Sequence, residues 1–201
     1  MSTLRAGDLL VATPALVDPH FDETVVLLLD VNDDGALGVV LNRPGELPVA
    51  DVLDPWGTVV AAPEVLFEGG PVETNGALAV VWRRAGAVTG GSPSSDPGDE
   101  ADGAETPGLR TLGGGLALLD LDAPPEVVGA EIGRLRIFAG YSGWGAGQLE
   151  AEIDEGSWYV VPGEAADVFR ADTSTLRRDV LRRQPGDLAW HATRPRDPEQ
   201  N

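Results

Sequence analysis

The chain has 201 residues, which suits one domain with a buried core. It carries 33 acidic residues against 14 basic ones, for a net charge of -19, and every basic residue is an arginine. That balance argues against non-specific DNA binding, because each phosphate contact needs a cation and the rest of the surface would repel the duplex. The absence of cysteine excludes disulfides and thiolate chemistry. No apolar run approaches the roughly 20 residues of a membrane span, and the start has no basic segment leading into an apolar one, so a cytoplasmic protein without a signal peptide is expected.

In chain order, DLLVA at residues 8–12 reads as a strand, and TVVLLLD at 24–30 as a buried one. NDDG at 32–35 followed by ALGVVLN at 36–42 predicts a hairpin. A turn follows, leading into a short helix over 49–54. VLFEGGPV at 65–72 predicts a strand entering a Gly-Gly-Pro turn, and GALAVVW at 76–82 another strand. Residues 85–108 are small, acidic and rich in Pro, Gly and Ser, with almost nothing apolar to bury. They predict a disordered insertion within the single domain 1–201. Strand-type sequence resumes at 109. Residues 123–135 predict a helix with Val127, Val128, Ile132 and Leu135 on one face. RIFAGY predicts a strand, 145–156 a short helix, and SWYVVP a strand. The last helix, 173–186, faces Leu176, Val180 and Leu181 inward, turns its arginines mostly outward and stops at Pro-Gly. Strands outnumber helices and neighbouring strands look hairpin-connected. The expected fold class is therefore α+β, with a mostly antiparallel or mixed sheet and a few packing helices.

Four motifs suggest chemistry. DVNDDG at 30–35 opens like a calcium loop, but the twelfth position, which needs a bidentate Glu, is Leu41. Asp18, His20 and Asp22 in DPHFD would share one face of a strand as metal ligands do, yet Pro19 opposes a strand and a loop is the simpler reading. GYSGW at 140–144 resembles a nucleophile elbow around Ser142, with Trp144 where the tight turn needs Gly. Glu150 and Asp154 lie four apart in a helix, as a carboxylate pair or as a solvated face. The Gly69-Gly70 step lacks phosphate-loop spacing and the chain has no lysine. No cofactor is expected, and the arginines of the last helix are read as pairing within the molecule.

Together, GDLLVATPALVDPHFDETVVLLL, GALGVVLNRP, LFEGGPV and GYSGWGAGQLEAEIDEGSWYVVP resemble the AlgH/YqgE family of bacterial proteins. The stretches follow the family's order and cover most of the chain outside 85–108. The resemblance implies a compact cytoplasmic α+β domain and a link to transcriptional regulation of alginate synthesis; it brings no enzyme activity and no catalytic residue. The family usually has alanine at Ser142, which does not suit a nucleophile. The expectation is a non-enzymatic binding protein that regulates indirectly through a protein or small-molecule partner. The expected surface is Asn42, Arg43 and Pro44 with Gly69, Gly70 and Pro71, and Tyr141, Trp144, Gln148 and Glu150. Two alternatives stand beside it: these groups satisfy one another, with Arg43 pairing to Glu150 or Glu152 and Trp144 in the core, or a small-molecule enzyme uses Ser142 or Glu150/Asp154.

Overall fold

The computed structural model describes residues 4–84 and 106–192. The disordered insertion expected at 85–108 therefore lies outside the described residues except for its last three. Among the described residues, ten strands form one curled, mixed sheet: β1 (Asp8–Ala12), β2 (Val25–Asn32), β3 (Gly35–Val40), β4 (Pro44–Pro48), β5 (Val65–Glu68), β6 (Val72–Arg83), β7 (Leu109–Gly113), β8 (Leu116–Leu119), β9 (Ile132–Gly145) and β10 (Trp158–Pro162). The order is β10-β1-β2-β3-β9-β6-β8-β7, with β4 beside β5 and β5 running parallel to β9. The expected α+β class with a mixed sheet is the class observed.

The Asn32–Gly35 turn closes the β2–β3 hairpin, with the Asn32 side chain accepting the Asp34 N–H. Val25 to Leu29 are all fully buried, because both faces of this part of the sheet are covered. A strand buried on both faces reads as a continuous apolar run rather than an alternating one. The inner face carries Leu9, Val11, Leu27, Val39 and Phe138. Helix α5 (Leu176–Arg182) closes it with Leu176, Val180 and Leu181, as its periodicity predicts. On the outer face, Leu10, Val26 and Leu28 pack with Trp144, Trp158 and Leu149 of α3 (Gln148–Asp154). The remaining helices are short: α1 (Val49–Val52), α2 (Pro125–Val128), α4 (Ala165–Val168) and α6 (Leu188–His191).

Three expectations need correction. The helix expected over 123–135 is only α2; Ile132 onward belongs to β9. Gly129 and Gly133 weaken a helix there, and β9 gains a ladder against β6 from Ile132 to Ala139 instead. GYSGWG, read as a strand reversing into a helix, is itself the end of β9, with Ser142 opposite Gly38 and Trp144 opposite Ala36 on β3. The reversal comes later, at Gly147, whose φ is 73°. β4 falls where a turn was expected.

Arg83, Arg84 and Thr106 meet at one residue, Glu131. Glu131 accepts hydrogen bonds from the Thr106 hydroxyl and from Arg83, and its backbone carbonyl accepts the Arg84 N–H. The Thr106 bond, followed by Arg83, holds the Glu131 carboxyl below its ordinary pKa of 4.5 against the opposing effect of burial.

Candidate functional site

β9 is the strand on which the site is built. Its first half pairs with β6 and its last four residues with β3. Between them Gly140 takes a φ of 68°, a conformation that favours glycine. The Gly69-Gly70 step crosses this point. Gly69 N–H donates to Ala139 O at 2.8 Å, and Gly69 O accepts Val40 N–H at 2.9 Å. A methyl group on Gly70 would lie 2.3 Å from the Tyr141 carbonyl, and one on Gly140 would lie 2.7 Å from Gly70 O. The glycines of FEGGP and GYSGW are thus the two sides of one backbone crossing.

Ser142 is part of the same crossing. It is fully buried, and its hydroxyl donates to Gly69 O at 3.1 Å. It has no exposed Oγ to attack a substrate. The nucleophile reading of this serine is corrected: it ties β9 to the Gly-Gly step.

An open cleft of about 420 Å³ lies over the crossing, lined by His20, Arg43, Glu68, Gly70, Pro71 and Thr74 among others. Arg43 follows β3 and supplies a guanidinium. Its Nη2 donates to Pro19 O at 3.1 Å and approaches Asp22 O at 3.5 Å. No carboxylate lies within ion-pairing distance of Arg43 among the described residues, so the pairing with Glu150 or Glu152 weighed from the sequence is not made. Asn42 does not line the cleft. Its Oδ1 accepts Val25 N–H and its Nδ2 donates to Glu23 O, each at 2.9 Å. This clamp fixes the end of loop 18–24, where Glu23 is held at a φ of 57°. Such a backbone persists only where its surroundings enforce it. The DPHFD stretch is a turn: Asp18 O accepts the Phe21 and Asp22 N–H groups, and its Oδ1 accepts the His20 N–H at 2.7 Å.

The second half of the sequence-derived surface lies elsewhere. Trp144 is buried, and its indole N–H donates to Glu152 Oε2 at 3.0 Å. Trp158 donates to the same oxygen at 2.8 Å, and Gln148 Nε2 donates to Oε1 at 2.9 Å. Gln148 Oε1 accepts the Gly145 N–H. Phe21 stacks on Trp144 at 6.0 Å and meets Trp158 edge-on at 5.6 Å. Trp144 and Gln148 therefore offer no surface to the cleft. Trp144 and Trp158 hold Phe21, which anchors the loop that carries His20. Tyr141 is half-buried against the inner core. Glu150 and Asp154 lip a different groove, beside β10. Of the expected surface, the structure brings together Arg43, Gly70 and Pro71; Gly69 is buried next to them, and Pro44 starts β4 beside Phe67. His20, Glu68 and Thr74 join them unforeseen. His20 and Glu68 lie in the DPHFD and FEGG stretches, but nothing local to either signals that they face one opening.

Behind the cleft, β9 carries a fully buried Arg136. Its guanidinium sits 4.1 Å over the Phe67 ring and donates to Ala62 O and Arg170 O, at 2.7 and 3.1 Å, while Nε has no partner among the described residues. Burial depresses its pKa to about 10. Of the four arginines at 177, 178, 182 and 183, Arg178 and Arg182 are exposed and the other two bond within the molecule. Arg177 donates twice to Ala12 O, and Arg183 forks onto Asp167, which raises the Arg183 pKa.

A curled mixed sheet with a cleft at a glycine backbone crossing defines a small α+β protein whose opening is lined by strand residues Val40, Glu68, Thr74 and Ala139 and by His20, Arg43, Gly70 and Pro71 between strands. The family model described as AlgH-like matches residues 9–189, and the chain belongs to that family. It is 49% identical over 195 residues to a UPF0301 protein of Streptomyces avermitilis, covering 97% of this chain and 94% of that one. A UPF0301 protein of Streptomyces coelicolor is 50% identical over 196 residues, with the same shares covered. Among solved structures, protein DIP2367 of Corynebacterium diphtheriae superposes with a TM-score of 0.83 at 28% identity, over 96% of this chain and 94% of that one. The solution structure of AlgH from Pseudomonas aeruginosa gives 0.62 at 25%, over 97% and 98%. No helix among the described residues is long and apolar enough to cross a membrane, which says nothing of strands.

Proposed function

We propose that this protein is a non-enzymatic binding protein of the cytoplasm that regulates transcription indirectly, by holding a small molecule or a partner's polar group in the Arg43 cleft. The observation that carries the reading is Arg43. In a chain of net charge -19 its guanidinium opens onto a cleft, steered by backbone carbonyls and with no carboxylate in ion-pairing distance among the described residues. A guanidinium held in that way supports a forked contact to a carboxylate or phosphate. Glu68, His20 and Thr74 around it favour a ligand that also donates hydrogen bonds. Tying the Arg177 and Arg183 side chains within the molecule favours indirect action over contact with DNA.

The test is calorimetric titration with inorganic phosphate, citrate and glutamate, followed by capture of partners from the native host. Arg43→Ala should abolish the binding seen with the unaltered protein, while Arg43→Lys keeps the charge, loses the fork and binds about tenfold less well. Equal binding by Arg43→Ala would sink the reading.

A further inference from the structure

β10 is an edge strand, paired only with β1 among the described residues. In an antiparallel ladder alternate residues bond to one neighbour and the others point away. Thr13 N–H donates to Ser157 O, and Val11 and Leu9 stand opposite Tyr159 and Val161. Ser157, Tyr159 and Val161 therefore direct their backbone groups to β1, and Trp158 and Val160 direct theirs to the open edge. The Val160 N–H and C=O have no partner among the described residues. Folded proteins usually block such an edge because it templates pairing.

Here a groove of about 370 Å³ follows the edge. The consecutive residues Trp158, Tyr159 and Val160 line it, with Ile153 of α3 on one side and Leu188 of α6 on the other. It thus wraps both sides of the strand. Its α3 lip carries Glu150 and Asp154, four apart and on one helix face. Both side chains are exposed, and no cation lies within ion-pairing distance of either among the described residues.

We propose that this edge is a docking site for an extended segment of a partner protein that alternates apolar and basic residues. The segment adds as a strand beside Val160. Its arginines or lysines face Glu150 and Asp154, and its apolar residues face Tyr159 and Leu188. Main-chain bonds supply the affinity and the alternation supplies the specificity. The acidic lip selects this occupant over a second copy of the chain, whose own lip and net charge of -19 would repel it. The site is separate from the Arg43 cleft, so either assignment can fail alone.

The probe is a fluorescein-labelled peptide of four Val-Arg repeats, titrated by anisotropy against the full chain. Two control peptides carry Glu for Arg, or N-methyl groups on the amides that would pair. The Val-Arg peptide should bind and the Glu peptide should not. N-methylation should weaken binding more than tenfold. Glu150→Gln with Asp154→Asn should weaken it about three- to tenfold, and amide exchange at Val160 should slow on binding. Equal affinity for the N-methylated peptide, or for the double variant, would overturn the proposal. So would a dimer in solution that Val160→Pro dissociates, because the edge would then belong to a second copy.

Discussion

Replacing Glu152 by Ala should destabilise the protein by about 3 kcal/mol. One carboxylate oxygen accepts two indole N–H groups, at 3.0 and 2.8 Å, from tryptophans that are only 5% and 3% exposed. A hydrogen bond to a charged group contributes roughly 1.5–3 kcal/mol, and a buried donor left unpaired costs about 1–3. Two such donors give about 3–6 kcal/mol; Glu152 is half-buried, so water reaches the gap and the low end applies. Glu152→Gln keeps one acceptor oxygen and should lose about half as much. Both variants should also loosen Phe21, which packs on the two indoles, and so weaken binding in the Arg43 cleft without touching it. Urea unfolding followed by tryptophan fluorescence measures the loss as a lower midpoint at unchanged slope. An Ala variant within about 1 kcal/mol of the parent, with the Gln variant no different, would refute the claim that this carboxylate organises the aromatic cluster.

Gly70→Ala should cost about 3 kcal/mol or more, seen as a melting temperature lowered by several degrees, because its methyl would meet the Tyr141 carbonyl at 2.3 Å. Ser142→Ala should cost only about 1 kcal/mol in urea unfolding and leave ligand binding unchanged, since Gly69 O keeps the Val40 N–H. Glu131→Gln should lose about 1–2 kcal/mol at pH 7. The folded pKa of Glu131 lies below its ordinary 4.5, so its contribution is complete above that value and disappears as pH falls through the folded pKa. The gap between the unfolding midpoints of the parent and Glu131→Gln should therefore narrow as pH falls from 7 to below 4.5.

The buried strands were legible in the sequence because burial on both faces leaves a run such as VVLLL with no polar interruption. The last helix was legible because Leu176, Val180 and Leu181 repeat at helical spacing. The stretch before β9 was not, since Val128, Ile132 and Leu135 fit a helical repeat as well as a strand, and only the ladder against β6 decides between them. The site divides in the same way. GGP and GYSGW were recognisable as glycine-rich motifs, but that they are two sides of one crossing depends on a parallel pairing of β5 with β9 across 71 residues of chain, from Phe67 to Phe138.

By itself the sequence determined the fold class and the family, because hydrophobic pattern, turn chemistry and motif order are local properties of the chain. The tertiary structure alone decided that Arg43 faces a cleft while Trp144 and Trp158 brace a loop through Phe21, and that Ser142 is buried. Those outcomes depend on which strands pair and which face each presents. A one-residue change of register would turn every such side chain to the other side of the sheet.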